Sequence, residues 1–429
     1  MTARTGESAS VRSCPGCGTA GGIRRFLSLG SIPPGNAFVR AADLGDERSF
    51  PLDMGVCGTC QLVQVVEPVP PETLEKVYRN YSYVPTGSTL AQHYRGLAEE
   101  MVQVLRPSDG ALFADIGSND GLLLRSVHAA APAVRIAGIE PSPKISEIAR
   151  GHGVPTITRF FDAAAADELL ATFGPATAVS ATQVLQHIRD PLAFLRQVDR
   201  MLAPEGVLVL EGRAYFPAVV EKVSFDTFYH ELLFCFTLQS LERLLGRAGF
   251  AVFHAERTEA YGGSLRVFAQ RKTTGRRGIH PSVATARAFE SAARVGNPET
   301  YTGFGRRVEE VRARLREMVL GLRAQKRVIV GYGAPSTGTT LLSYCGLGDG
   351  TLDYIVDDNP LKQGLVTPGT HIPITDLASM GRNPPDYVLL IAWRLKDEIL
   401  PKLSSAPGGR LRGAIVPLPT PEIVPVGRS

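Results

Sequence analysis

The sequence predicts an α/β protein of three modules in series: a small cysteine-bearing module, a parallel-sheet layer with a glycine turn, and a second, smaller sheet layer. Three observations predict it. Two Cys-x-x-Cys pairs fall within the first 60 residues, an apolar strand runs into a glycine-rich turn and a helix from residue 112, and the same order restarts at residue 326.

A chain of 429 residues exceeds what one hydrophobic core organises, and an apolar content of 44% is ample for two or three. No apolar run approaches the roughly 20 residues of a membrane-spanning helix, and the polar start MTARTGESASVRS lacks a secretory core. A cytoplasmic protein with no membrane partner is expected. The 46 basic residues barely exceed the 42 acidic ones, with the densest Arg clusters near 271–277 and 306–327. That balance gives no reason to expect nucleic acid, although a phosphorylated substrate would suit a local Arg or Lys.

Residues 1–70 form the first module. The pairs CPGC (Cys14, Cys17) and CGTC (Cys57, Cys60) stand 39 residues apart. A two-residue spacer lets both thiolates of one tight turn reach a single tetrahedral ion, and zinc suits four sulfurs. Gly16, Gly18 and Gly58 permit the positive φ angles of such turns. Disulfides and a redox pair are the alternatives; a cytosolic chain disfavours the first, and a redox pair needs no second copy. Four thiolates close the site, so the expected role of the zinc is structural.

Residues 71–275 carry the second module. LFADIGSNDG joins a strand to a turn whose glycines let the backbone approach a ligand at the C-terminal edge of a sheet. The next strand, VRIAGIE, ends in Glu140, 25 residues after Asp115, where a carboxylate can bond ribose hydroxyls. The three-glycine dinucleotide spacing is absent, so adenosine without pyrophosphate fits better. TAVSATQVLQHIRDP then brings Gln183 and His187 just past a third strand. The order of glycine turn, acidic strand end and polar post-strand segment looks like the class I S-adenosylmethionine-dependent methyltransferases, which implies a Rossmann-like sheet. A sheet of this kind without a cofactor is the alternative.

Residues 276–325 read as a helical connector, with apolar positions at Val308, Val311, Leu315, Val319 and Leu322. Residues 326–429 form a second Rossmann-like α/β domain: KRVIVGYGAPSTGTTLL is strand, turn and helix, and the next strand ends in Asp357 before a Pro/Gly-rich loop. The GYGAPSTG turn either binds phosphate through backbone N–H groups at a helix N-terminus or serves only packing.

Together these features resemble the deoxysugar C-methyltransferases of antibiotic biosynthesis, which methylate C3 of nucleotide-linked 4-keto sugars. The resemblance covers nearly the whole chain. It is carried by CPGC, PPGNAF, CGTCQLVQ and YRNYSYVPTGS, by DIGSNDG and GIEPS, and by GYGAPSTGTTLL, VDDNPLKQGLVTPGTHIPI and IAW. It implies S-adenosylmethionine held by Asp115, Gly117, Asn119, Gly121, Glu140, Pro141 and Gln183, and structural Zn2+ on Cys14, Cys17, Cys57 and Cys60. It implies a nucleotide-linked sugar, or a related small molecule, held by Tyr83, Tyr261, Ser264, Arg266, Gly333, Ser336, Asp357 and Lys362. A monomer or small homo-oligomer is expected.

Three positions depart from that pattern. The family's Tyr-His-Glu-His stands here as Tyr229, His230, Glu231 and Leu232; its His-Gly-Gly-Ser begins at Tyr261; and Thr337 occupies the place of a Lys. The final His of the first motif is the family's base, and leucine cannot accept a proton. The expected catalytic set is therefore His187 or His230 as base, Tyr229 and Glu231 orienting the sugar, and Tyr81 or Tyr83 shielding the site. The alternative expectations are a changed acceptor (an amine, a hydroxyl or an enol-type carbon) or a non-methylating reaction on the same scaffold.

Overall fold

The computed structural model describes residues 13–79, 88–348, 350–407 and 409–426. Tyr81 and Tyr83 lie outside the described residues.

An antiparallel four-stranded sheet opens the chain, formed by Ile23–Ile32, Phe50–Cys57, Val63–Val65 and, from far downstream, Phe234–Cys235. Val63 faces Cys235 and Gln64 faces Phe234, while the Val65 N–H donates to the Leu233 carbonyl at 3.0 Å. The stretch FDTFYHELLFCF thus makes one short 3-10 turn at Phe225–Thr227 and then extends into the N-terminal sheet. Its apolar residues are the reason, since Phe225, Phe228, Leu232 and Cys235 are all fully buried and burying one large apolar side chain contributes roughly 1.5–3 kcal/mol.

The central sheet has seven strands. Across it lie Thr156–Ile157, Arg135–Ile139, Leu112–Ile116, Ala176–Thr182, Leu202–Arg213, Ser264–Arg271 and Phe250–Thr258. The first five run parallel, and Ser264–Arg271 is antiparallel to both of its neighbours. Every residue of Leu112–Ile116 is buried, as a central parallel strand covered on both faces requires. Strand order reverses at this strand, so the crevice beyond its C-terminal end is where such a sheet binds ligands.

The third sheet has six strands, ordered Ile374–Thr375, Ile355–Val356, Ile329–Tyr332, Tyr387–Leu390, Gly413–Val416 and Glu422–Val424. It is parallel except for the last strand. Helices Pro281–Ala292 and Pro298–Ala324 connect the two larger sheets; Asn297 caps the longer one by accepting from the Glu299 N–H. Val308, Val311, Leu315, Val319 and Leu322 of that helix are buried, and Phe304 packs at 6.4 Å from Phe26 and 6.2 Å from Phe228. One apolar core consequently runs from the N-terminal sheet through residues 214–235 into the third sheet. Among the described residues no helix is long and apolar enough to cross a membrane.

Candidate active site

The three sheets meet around one cavity of about 1850 Å³. On its cofactor side stands the turn after Leu112–Ile116. Gly117 has φ +70°, and a Cβ there would come within 2.7 Å of Val184, so no side chain fits between this turn and the cavity wall. Asn119, also left-handed at φ +51°, donates its N–H to Glu140 Oε2 at 3.1 Å, and Ser142 N–H reaches Oε1 at 2.9 Å. Each Glu140 oxygen keeps a further lone pair for a ribose hydroxyl. Burial raises Glu140, and it pushes Asp115 up to about 7 against the 2.6 Å hydrogen bond from Ser180. Ser118 Oγ is buried in this turn without a protein partner. A left-handed turn with spare acceptors and an unpaired hydroxyl fits an adenosine-bearing cofactor.

Asp115, Gly117, Asn119, Glu140, Pro141 and Gln183 line the cavity, but Gly121 does not. Gly121, at φ +79°, lies against Val154, which a Cβ would approach to 2.6 Å. Its glycine serves the packing of the turn. Gln183 Oε1 accepts the Arg213 backbone N–H at 2.8 Å, tying two strand ends together.

On the acceptor side Tyr229 is fully buried, and its hydroxyl receives a hydrogen bond from the Arg213 guanidinium, which also lies 5.4 Å from its ring. Burial raises Tyr229 in spite of Arg213, so it stays a neutral phenol. The His187 Nδ1 lies 2.5 Å from the Glu231 carbonyl, which fixes its proton there. Burial, with the Arg213 charge adding and that carbonyl opposing, draws His187 down to about 3.

Several sequence expectations need correction on position. His230 does not line the cavity; its Nε2 lies 3.1 Å from the Phe50 carbonyl and its ring packs on Phe50. Glu231 lines the cavity, but its oxygens receive Gly35 N–H at 3.0 Å, Asn36 N–H at 2.8 Å and Asn36 Nδ2 at 3.1 Å. It therefore orders the PPGN loop. Ser264 is buried off the cavity, bonded to the Ala260 carbonyl at 2.9 Å. Gly333 does not line the cavity; at φ +85° it lies against Ala392, which a Cβ would approach to 2.4 Å. Asp357 is also off it, accepting the Ala334 N–H at 2.6 Å and the Asn359 N–H at 2.8 Å. Those two bonds shape the third module's turn.

Arg266 reaches the cavity, yet its guanidinium pairs with Glu211 at 2.7 Å and with Glu100. Tyr261 lines the cavity with its hydroxyl 3.1 Å from that of Tyr94. Ser336 and Thr337, opening the helix Ser336–Cys345, line it too. So does Lys362, whose Nζ donates to the Ala334 carbonyl at 2.6 Å and which burial lowers against the pull of Asp357. Leu232 is wholly buried in the apolar core.

Sequence reasoning missed Arg213, Asn36, Arg394 and the pair His93–Glu211. Arg213 carried a usable signal, a charge closing an apolar strand as Glu140 does; the others come from segments far apart in the chain. Arg394 lines the cavity while gripping buried Asp226 through two bonds of 2.7 and 2.9 Å, with Trp393 Nε1 on the same carboxylate at 2.9 Å.

The four N-terminal sulfurs lie within 4.8 Å of one another, with Cys14 to Cys60 at 3.5 Å and Cys17 to Cys57 at 3.7 Å. Sulfurs at about 2.3 Å from a tetrahedral zinc stand roughly 3.8 Å apart, so the cluster fits that ion. Arg247, ending the helix Leu238–Arg247, donates to the Pro15 and Gly16 carbonyls at 2.8 and 3.0 Å and holds the first knuckle on the central module.

This fold and cofactor turn define a class I S-adenosylmethionine-dependent methyltransferase. Family models agree along the chain: a zinc binding domain over residues 13–74, a methyltransferase domain over 91–255 and a C-methyltransferase C-terminal domain over 259–419. The C-methyltransferase NovU of Streptomyces niveus is 35% identical over 402 residues, covering 93% of each chain. The chain belongs to this C-methyltransferase family; it is an S-adenosylmethionine-dependent C-methyltransferase with a zinc-binding module, and its substrate is a small molecule. A ubiquinone biosynthesis O-methyltransferase of Xanthomonas oryzae is 31% identical over 111 residues, 25% of this chain and 46% of that one. Among solved structures, the magnesium protoporphyrin IX methyltransferase of Synechocystis is 17% identical, covering 47% of this chain and 95% of that one with a TM-score of 0.34.

Proposed function

We propose that the acceptor is a nucleotide-linked 4-keto-deoxysugar, methylated on a carbon next to the ketone. The observation that carries this reading is the single cavity bordered by both the Glu140 turn and the Ser336 helix start. Its 1850 Å³ exceeds the roughly 300–1,000 Å³ of a pocket for one drug-sized ligand. That leaves room for a cofactor and a nucleotide sugar together. Lys362, the Ser336 helix N-terminus and Arg394 offer positive charge and donors to a diphosphate.

Bound at the Glu140 turn, S-adenosylmethionine supplies a sulfonium methyl for transfer to a carbon nucleophile. The chain's own residues prepare that nucleophile. Tyr229 and Arg213 donate hydrogen bonds toward the ketone oxygen as negative charge gathers on it, in a buried site where such donors act strongly. His187, neutral with its proton on the Glu231 side, orients the sugar without adding charge.

The test is incubation with S-adenosylmethionine and a nucleotide-linked 4-keto-6-deoxysugar, or the same sugar reduced to the alcohol. S-adenosylhomocysteine formed in proportion to methylated keto sugar, and none with the alcohol, is the expected result. Equal turnover with both would sink the reading.

A further inference from the structure

Removing a proton next to a ketone needs a base that faces the cavity. The titratable groups already placed there are committed elsewhere. Both Glu231 oxygens and both Glu140 oxygens hold backbone N–H groups, Asp115 is bonded to Ser180, and the Tyr229 hydroxyl accepts from Arg213. His187 sits beside the Arg213 charge, which opposes its taking up a proton.

His93 has the opposite surroundings. It projects from the helix Ser88–Leu105 into the cavity lining, and its Nε2 lies 2.6 Å from Oε1 of Glu211, whose side chain is 0% exposed at the end of a central strand. Arg266 holds the other Glu211 oxygen at 2.7 Å. Burial raises the Glu211 carboxyl, and His93 and Arg266 more than offset that, so it is lowered and ionised. An ionised carboxylate only accepts, so Nε2 carries the hydrogen of this bond, and in the base form of the imidazole the lone pair is on Nδ1. Tyr94, the next residue, lies in hydrogen-bond reach of Tyr261, so the same helix borders the acceptor side.

We propose that His93, oriented and backed by Glu211, is the general base of this enzyme. Nδ1 takes the proton from the carbon next to the ketone, the C–H electron pair becomes the enolate double bond, and the carbonyl pair moves onto oxygen. The proton stays on the imidazole, and Glu211 stabilises the imidazolium that results. His93 is thereby a catalytic residue and Glu211 a positioning residue.

The assignment rests on the keto-sugar reading above, and one experiment separates the two. The wild type, His93→Gln, His93→Ala and Glu211→Gln are incubated in D2O with S-adenosylhomocysteine and the nucleotide-linked 4-keto-6-deoxysugar, and deuterium entering next to the ketone is followed by NMR. Binding of S-adenosylhomocysteine by calorimetry checks each variant's fold. Expected are exchange by the wild type, a fall of about 100- to 10,000-fold in the His93 variants with cofactor binding kept, and partial recovery of His93→Ala by added imidazole. Exchange within threefold of wild type in folded His93→Gln, or no recovery with imidazole, overturns the dyad alone. No exchange by the wild type overturns the acceptor reading and the dyad's role with it. Should Glu211→Gln fail to bind cofactor, the His93 variants, altered at a side chain that keeps 13% exposure, decide the question.

Discussion

The Glu231 carboxylate receives the Asn36 backbone N–H at 2.8 Å, joining two segments 195 residues apart. A residue of the central motif thereby fixes the loop of the N-terminal module that borders the cavity. Glu231→Gln keeps the shape but turns one acceptor into a donor facing the Gly35 or Asn36 N–H. The expected cost is about 1–3 kcal/mol of stability, with a rise in KM, measured by urea denaturation and steady-state kinetics. Unchanged stability would mean the loop is held by other contacts.

Zinc removal should disable the site from a distance. The strand Val63–Val65 that follows Cys57 and Cys60 pairs with Phe234–Cys235, which only Leu232 and Leu233 separate from the Tyr229–Glu231 segment. Chelation, or Cys57→Ser, is expected to lower metal content, Tm and methyl transfer together, read by elemental analysis, calorimetry and turnover. Activity that survives complete metal loss would contradict this coupling.

Cofactor affinity should depend on Glu140. Glu140→Ala removes the proposed ribose partner and the acceptor for the Asn119 and Ser142 N–H groups. Binding of S-adenosylhomocysteine by titration calorimetry is expected to weaken by about tenfold or more, on the order of 1.4 kcal/mol or above.

Acid should destabilise the protein through His187. Its folded pKa of about 3 lies below the ordinary 6.5, so between those values the unfolded chain binds the proton that the folded one refuses. Stability therefore falls as pH drops from 6.5 toward 3 and is regained as pH rises, with a ceiling of roughly 5 kcal/mol from this group. His187→Gln should flatten the slope of denaturation free energy against pH in that window. An unchanged slope would place the acid sensitivity on other groups.

What the sequence disclosed was local. A zinc knuckle is written in four consecutive residues, and the cofactor turn in DIGSNDG with Glu140 one strand later, because in each the chain turns back on itself at once. What it concealed was long-range. Tyr229, His230 and Glu231 read as an acid–base cluster, yet Glu231 binds the loop at Gly35, His230 packs on Phe50, and the residues that follow complete the N-terminal sheet. Pairing across such separations is set by register and burial, which one segment's pattern does not encode. His93 and Glu211 met for the same reason, a helix and a strand end 118 residues apart.

The proposed reaction puts the methyl on the carbon beside a ketone, and the position of the new bond decides whether it does. With S-adenosylmethionine carrying a 13C-methyl group and a nucleotide-linked 4-keto-6-deoxysugar, the product's carbon–carbon couplings are read by NMR. The expected product carries a labelled methyl coupled to the carbon next to the carbonyl. A labelled methyl on oxygen or nitrogen, or no labelled sugar while the protein binds its cofactor, would contradict it.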